Sequence, residues 1–204
     1  MINIIGQIRI YSLADLILFA YAIGANKLEI IGIVLLHVSF LFYLEYTHKH
    51  TYRILIPKYI WMIAAIVGII LYFKWSVIGY IVASALYVNK NKAPFSYISP
   101  VIRGIQYYFL SAGILGFTNP ISLLAFLLIT TRNFAGDLRD TLKDKKESIQ
   151  TLPMLFGFNK DYKNIHIYML FLTSFAWWYL SGISVIWLLG VYLIQIYTYN
   201  ITTR

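Results

Sequence analysis

Residues 28–44 read LEIIGIVLLHVSFLFYL. Only Glu29, near the start of this run, is charged. The run is close to the length of a bilayer-crossing helix, and its apolar residues form a block without strict alternation. A transmembrane β-barrel requires alternating segments, so the run argues for helix. A second block, ISLLAFLLIT at 121–130, has the same character. Taken over the chain, the pattern predicts an all-α fold, a polytopic transmembrane helical bundle with about eight spans. The expected spans are 11–25, 28–46, 58–73, 75–89, 99–116, 120–137, 164–181 and 183–200. Residues 1–204 read as a single membrane domain, with neither linker nor repeat.

Composition agrees. Of 204 residues, 60% are hydrophobic and 12% charged, and the latter is about half the share a soluble domain carries. The chain has no cysteine, which excludes disulfides, thiolate catalysis and cysteine-bound metal. The opening segment, with Arg9 ahead of an apolar run, resembles a secretion signal, but Asp15 interrupts that run and favours a retained first span.

The net charge of +9 follows a topological pattern, so nucleic acid is not an expected partner. With the N-terminus in the cytoplasm, fifteen of the seventeen basic residues fall on the cytoplasmic side, and Lys27 and Lys74 do not. Basic loops mark that side of a membrane protein. The same orientation puts Asp137, Asp140 and Asp144 at the cytoplasmic end of the sixth span.

These three are most of the five aspartates in the chain. On a continuous helix, Asn133, Asp137, Asp140 and Asp144 occupy one face, with Arg132, Arg139 and Lys143 on another. Carboxylates three and four apart repel by roughly 3 kcal/mol at an effective dielectric of 20. A divalent cation would turn that repulsion into a site, and oxygen ligands with phosphate suit Mg²⁺. A solvated charged loop, its aspartates balanced by nearby Lys and Arg, is the alternative.

The stretch TRNFAGDLRDTLKDKKESIQTLPMLFG resembles the second aspartate-rich motif of the UbiA superfamily of intramembrane prenyltransferases. Arg132, Asp137, Asp140, Asp144, Thr151, Leu152, Pro153 and Gly157 match that motif. Asn133 replaces a glutamate, and Lys143 and Ser148 replace glycines. The basic segment after the fourth span, ALYVNKNKAPFSYISP, is similar to the family's loop between its fourth and fifth helices. The family's first aspartate motif has no full counterpart: in FLFYLEYTHKHTYRILIPK, Phe42 and Lys49 stand at aspartate positions and Glu45 is the acidic residue. The family usually has nine helices.

The resemblance implies Mg²⁺-dependent transfer of a prenyl group from a prenyl diphosphate to an aromatic or lipid acceptor within the membrane. It implies Asp137, Asp140 and Asp144 as catalytic metal ligands, with Glu45 as a remnant of the first metal site. Lys90, Lys92, Arg132, Asn133 and Arg139 would contact the substrates. The altered first motif keeps a second reading open, a non-catalytic relative that binds isoprenoid or lipid.

Other polar residues carry plainer expectations. Glu45 and Lys49 are spaced as a helical ion pair. His37, Leu41, Glu45 and His48 share a face, with His37 expected as a packing residue. Ser12 and Asp15 have capping-box spacing. Tyr107, Tyr108, Trp177, Trp178 and Tyr179 suit packing, an interfacial belt or an isoprenoid-lined cavity. A CDP-alcohol phosphotransferase requires a Gly after the second aspartate, where Thr141 stands. A transporter would place its charges near the membrane midplane.

Overall fold

A computed structural model describes residues 7–48 and 56–199, and these are helical throughout apart from turns and connections. Among the described residues, ten helices follow in order: α1 (Ile10–Ala22), α2 (Lys27–His48), α3 (Lys58–Tyr72), α4 (Val77–Tyr87), α5 (Phe95–Leu115), α6 (Pro120–Arg139), α7 (Thr141–Lys146), α8 (Leu152–Leu155), α9 (Lys163–Ser181) and α10 (Val185–Tyr199). A helix occupies each place where a span is expected. By length and composition, α2 and α6 are long and apolar enough to cross a membrane, while α1, α3, α4 and α10 are apolar but shorter.

Local chemistry sets the helix ends. Asn26 Oδ1 accepts from the amides of Leu28 and Glu29, and Glu29 Oε2 accepts from the Asn26 amide at 2.9 Å. This reciprocal box satisfies amides that the first turn of α2 cannot. Asn119 caps α6 in the same way through the Ile121 amide, with Pro120 at the first helical position. Pro100 lies inside α5, where it cannot donate to the carbonyl four residues back. That carbonyl, of Ser96, accepts from the Ser99 hydroxyl at 3.3 Å.

The chain divides into two compact units, Met1–Lys74 with Ser174–Arg204, and Trp75–Thr173. In the first, α1 packs on α2 and α10, and α2 on α3. Two glycines let α2 and α3 approach closely: a Cβ on Gly32 would meet the Tyr72 amide at 2.7 Å, and one on Gly68 the Gly32 carbonyl at 3.0 Å. The apolar core includes Leu16, Phe19, Ile33, Leu44 and Trp177, with the Phe19 and Trp177 rings edge-on at 5.2 Å.

Ser12 and Asp15 do not form an N-terminal cap, because α1 already begins at Ile10. Asp15 is instead fully buried and accepts from Ser174 Oγ at 2.9 Å, and Ser174 accepts from Gln195 Nε2 at 2.6 Å. His37, Leu41 and Glu45 are buried together on one side of α2. Lys49 lies outside the described residues; the basic group near Glu45 is Arg9, at 4.0 Å.

In the second unit, α5 packs against both α4 and α6, and α8 folds back onto α5 and α6. The α5–α6 approach is closest at Gly104, where a Cβ would overlap Thr130 Oγ1 and meet the Phe126 carbonyl at 2.6 Å. Tyr107, Leu110, Ala125, Ile129 and Leu170 fill the core.

Candidate functional site

The second unit holds the acidic stretch. Helix α6 does not run unbroken to Asp144: it ends at Arg139, and Asp140 leaves helical geometry (φ −104°, ψ 12°) before α7 begins. The continuous stripe expected over 133–144 is therefore bent at Asp140. The Asp144 amide still donates to the Asp140 carbonyl at 2.9 Å, so the chain resumes a helical course. The turns beyond fold back onto α6. The Tyr162 amide donates to the Leu138 carbonyl at 3.0 Å, and Asp161 Oδ1 caps α7 by accepting from the Leu142 amide at 2.8 Å. Tyr97 of α5 donates to Gln150 at 2.7 Å.

The bend gives the three aspartates different surroundings. Asp140 is held by Arg139, whose Nε donates to Oδ1 at 2.8 Å while Nη2 reaches Oδ2. Arg139 also meets His166 Nδ1 at 3.2 Å. The basic and acidic stripes are thus joined at this point rather than separated. Asp137 is partly buried, and its Oδ2 is sealed from solvent with no hydrogen-bond partner among the described residues. It feels the charges of Lys90, Asp144, Asp140 and Arg139. Asp144 is pushed up to about 6, first by burial and also by Asp140 and Glu147; Lys90 and Lys143 oppose the shift. Lys90, half-buried after α4, is therefore the cation common to Asp137 and Asp144.

The remaining candidates are scattered. Lys92 is exposed. Asn133 turns back along its own helix, donating to the Ile129 carbonyl at 2.8 Å. Arg132 is buried, donates to Thr173 Oγ1 at 3.2 Å, and lies over the Tyr107 ring at 5.9 Å. Glu45 belongs to the first unit and has Arg9 nearby. An open depression of about 530 Å³ lies among Thr141, Lys145, Gln150, Met154 and Phe158, and its lining includes none of the three aspartates.

Among the described residues, no group of three or more His, Asp and Glu side chains converges as a ligand set. Asp140 is turned toward Arg139, which leaves Asp137 and Asp144, both under the charge of Lys90. Two carboxylates are what Mg²⁺ commonly takes when water and substrate phosphate complete its shell. The sealed Asp137 oxygen lacks a hydrogen-bond partner among the described residues, a cost of about 1–3 kcal/mol that a bound cation would relieve. The pair fits Mg²⁺ on these terms; a three-aspartate cage does not form.

Two backbone positions bear on the motif. Ser148 has φ +57° and Gly157 φ +82°, both left-handed. Serine therefore occupies a conformation that glycine adopts without steric cost, at the position where the resembled pattern has glycine.

Sequence reasoning passed over several residues. His166 packs against Gly136, where a Cβ would meet its ring at 3.5 Å, and it orients Arg139. Arg103, Gln106, Tyr87 and Tyr80 form a buried polar cluster. Arg103 and Gln106 have the i, i+3 spacing of one helical face, which was a legible hint; His166 had none. Comparison of the chain with family models, with curated proteins and with solved structures finds no match.

Proposed function

We propose that the chain is a multi-pass membrane protein in which the Trp75–Thr173 unit carries a Mg²⁺-dependent prenyl-diphosphate site. The membrane reading is supported by an inverted surface. Large apolar side chains are exposed, among them Ile66 and Ile70 on α3, Ile81 on α4, Leu127 on α6, and Ile186 and Leu193 on α10. Asp15, His37, Gln106, Arg132 and Gln195 are buried. Lipid solvates the former, and polar groups within spans turn inward. Eight crossings with a cytoplasmic N-terminus account for the basic residues. Lys74, one of the two exceptions, is paired with Glu29 at 2.8 Å.

The observation that carries the catalytic reading is the sealed Asp137 oxygen within electrostatic reach of Asp144 and Lys90. Asp137 and Asp144 would hold the metal, with Asp140 positioned by Arg139 at the bend. When bound, Mg²⁺ neutralises the charge that gathers on a departing diphosphate. Lys90 and Arg132 would take phosphate oxygens as the bond between prenyl C1 and the diphosphate breaks. The acceptor bonds to C1 and loses a proton, and pyrophosphate leaves. The apolar interior excludes water, which would otherwise capture C1.

A non-catalytic isoprenoid-binding role is favoured by one specific feature, the neutralisation of Asp140 by Arg139. Pyrophosphate release separates the two. Purified protein with Mg²⁺ and geranyl, farnesyl or geranylgeranyl diphosphate, supplied with aromatic and lipid acceptors, is expected to release pyrophosphate. Asp137→Asn is expected to lose at least 100-fold of that rate. Binding of the diphosphates without any release above the variant's background would leave the binding role.

A further inference from the structure

The interior of the Trp75–Thr173 unit contains three cations that share two tyrosine rings. Lys90 Nζ lies 5.5 Å from the centre of the Tyr87 ring, and the Arg103 guanidinium lies 5.5 Å from the same ring. Arg103 is also 5.7 Å from the Tyr107 ring, and Arg132 is 5.9 Å from it. The order Lys90, Tyr87, Arg103, Tyr107, Arg132 is continuous. It begins at the cation that Asp137 and Asp144 share. Both arginines are buried, at 6% and 4% exposure, and Tyr107 is fully buried.

Arg103 is held in place by a relay of neutral groups. It donates to Gln106 Oε1; Gln106 Nε2 donates to Ser84 Oγ at 2.7 Å; Ser84 donates to the Tyr80 carbonyl at 2.7 Å. Gln106 is fully buried, so this relay excludes bulk water. A guanidinium is planar and retains its charge, and its fork of donors matches phosphate oxygens. Two of them sharing the Tyr107 ring, with Lys90 sharing the Tyr87 ring with Arg103, bring three positive charges together among apolar and neutral groups. Charges of one sign gathered in a low-dielectric setting raise the local potential that an anion meets.

We propose that Arg103 is a phosphate-binding residue, and that Lys90, Arg103 and Arg132 together form one anion track for a diphosphate group. The inference rests on the reading of this unit as a diphosphate site, and it adds a residue that the aspartate-rich motif does not contain. The faces of Tyr87 and Tyr107 offset part of the cost of burying these cations.

The test is equilibrium binding of inorganic pyrophosphate with Mg²⁺ to the full chain in detergent micelles, measured by calorimetry. Arg103→Gln is expected to weaken binding at least tenfold, and Arg103→Lys is expected to restore part of it. Gln106→Leu keeps the charge but removes its support, and is expected to give an intermediate loss. Each variant is compared only if its thermal unfolding remains cooperative; should Arg103→Gln fail to fold, Arg103→Lys and Gln106→Leu carry the comparison. Unchanged pyrophosphate affinity in the folded variants would overturn the role of Arg103, even in an enzyme that turns over. Pyrophosphate binding that depends on Arg103 in a protein that never releases pyrophosphate from a prenyl diphosphate would uphold the anion track and reject the prenyl-transfer reading.

Discussion

Asp137→Asn is the most informative single change. In the metal-free protein, Asp137 Oδ2 is sealed without a hydrogen-bond partner among the described residues, and two further carboxylates act on it. An unsatisfied buried acceptor costs about 1–3 kcal/mol, and Lys90 offsets part of that. Asparagine leaves a polar atom at the sealed position, but it lifts the repulsion by Asp140 and Asp144 as it gives up the attraction of Lys90 and Arg139, so the metal-free protein is expected to be about as stable as before. In a chain of this size, 1 kcal/mol moves Tm by about 2–4 °C. Mg²⁺ at a hundredfold above its dissociation constant adds about 2.7 kcal/mol to the native protein, or roughly 5–11 °C. Thermal unfolding in detergent, followed by tryptophan fluorescence with and without Mg²⁺, reads both effects. The variant should lose the Mg²⁺ shift while keeping the metal-free Tm. A variant several degrees less stable without metal, yet still stabilised by Mg²⁺ as the parent is, would refute the reasoning.

Three further outcomes follow from the same geometry. Asp144 is held up to about 6, above its ordinary 3.8, so the folded chain binds this proton more tightly than the unfolded chain does. Metal-free stability from this group should therefore rise as pH falls from about 6 toward 4, while the Mg²⁺ shift should fade over the same range because the proton competes with the metal; a Tm series across that range, with and without Mg²⁺, checks both signs. Gly104→Ala puts a methyl against Thr130 Oγ1 and the Phe126 carbonyl, and is expected to cost about 1–3 kcal/mol of stability in chemical denaturation. Ser148→Gly relieves a left-handed serine and is expected to stabilise by up to about 1 kcal/mol on the same measurement, the gain being reduced by glycine's greater freedom when unfolded.

Apolar blocks located the long helices because an unbroken, non-alternating apolar run of that length reads as helix from its own residues. The acidic stretch was legible in composition but not in shape. Helical spacing alone places Asp140 on the stripe with Asp137, and the fold instead ends α6 there and gives Asp140 to Arg139. That choice depends on the turns that follow, through Tyr162 on Leu138 and Asp161 on Leu142, which are contacts across some twenty residues. Asp15 shows the same limit. Its spacing from Ser12 suits a cap, yet its partner is Ser174, far along the chain. The cation row was hidden for a similar reason: Lys90, Arg103 and Arg132 come from different helices or their ends, and each alone reads as an ordinary cytoplasmic charge. Ser148 was visible as a departure from glycine, but only its backbone angle gives the departure a physical cost.

The central claim is that Asp137 and Asp144 share a divalent ion. Crystals of the full chain grown with Mn²⁺ and pyrophosphate, with data collected near the manganese edge, test it directly. An anomalous peak at coordination distance from one oxygen of each carboxylate, with pyrophosphate on its Lys90 side, is the predicted result. Ordered side chains with Lys90 bridging Asp137 and Asp144, and no anomalous density between them, would contradict the claim.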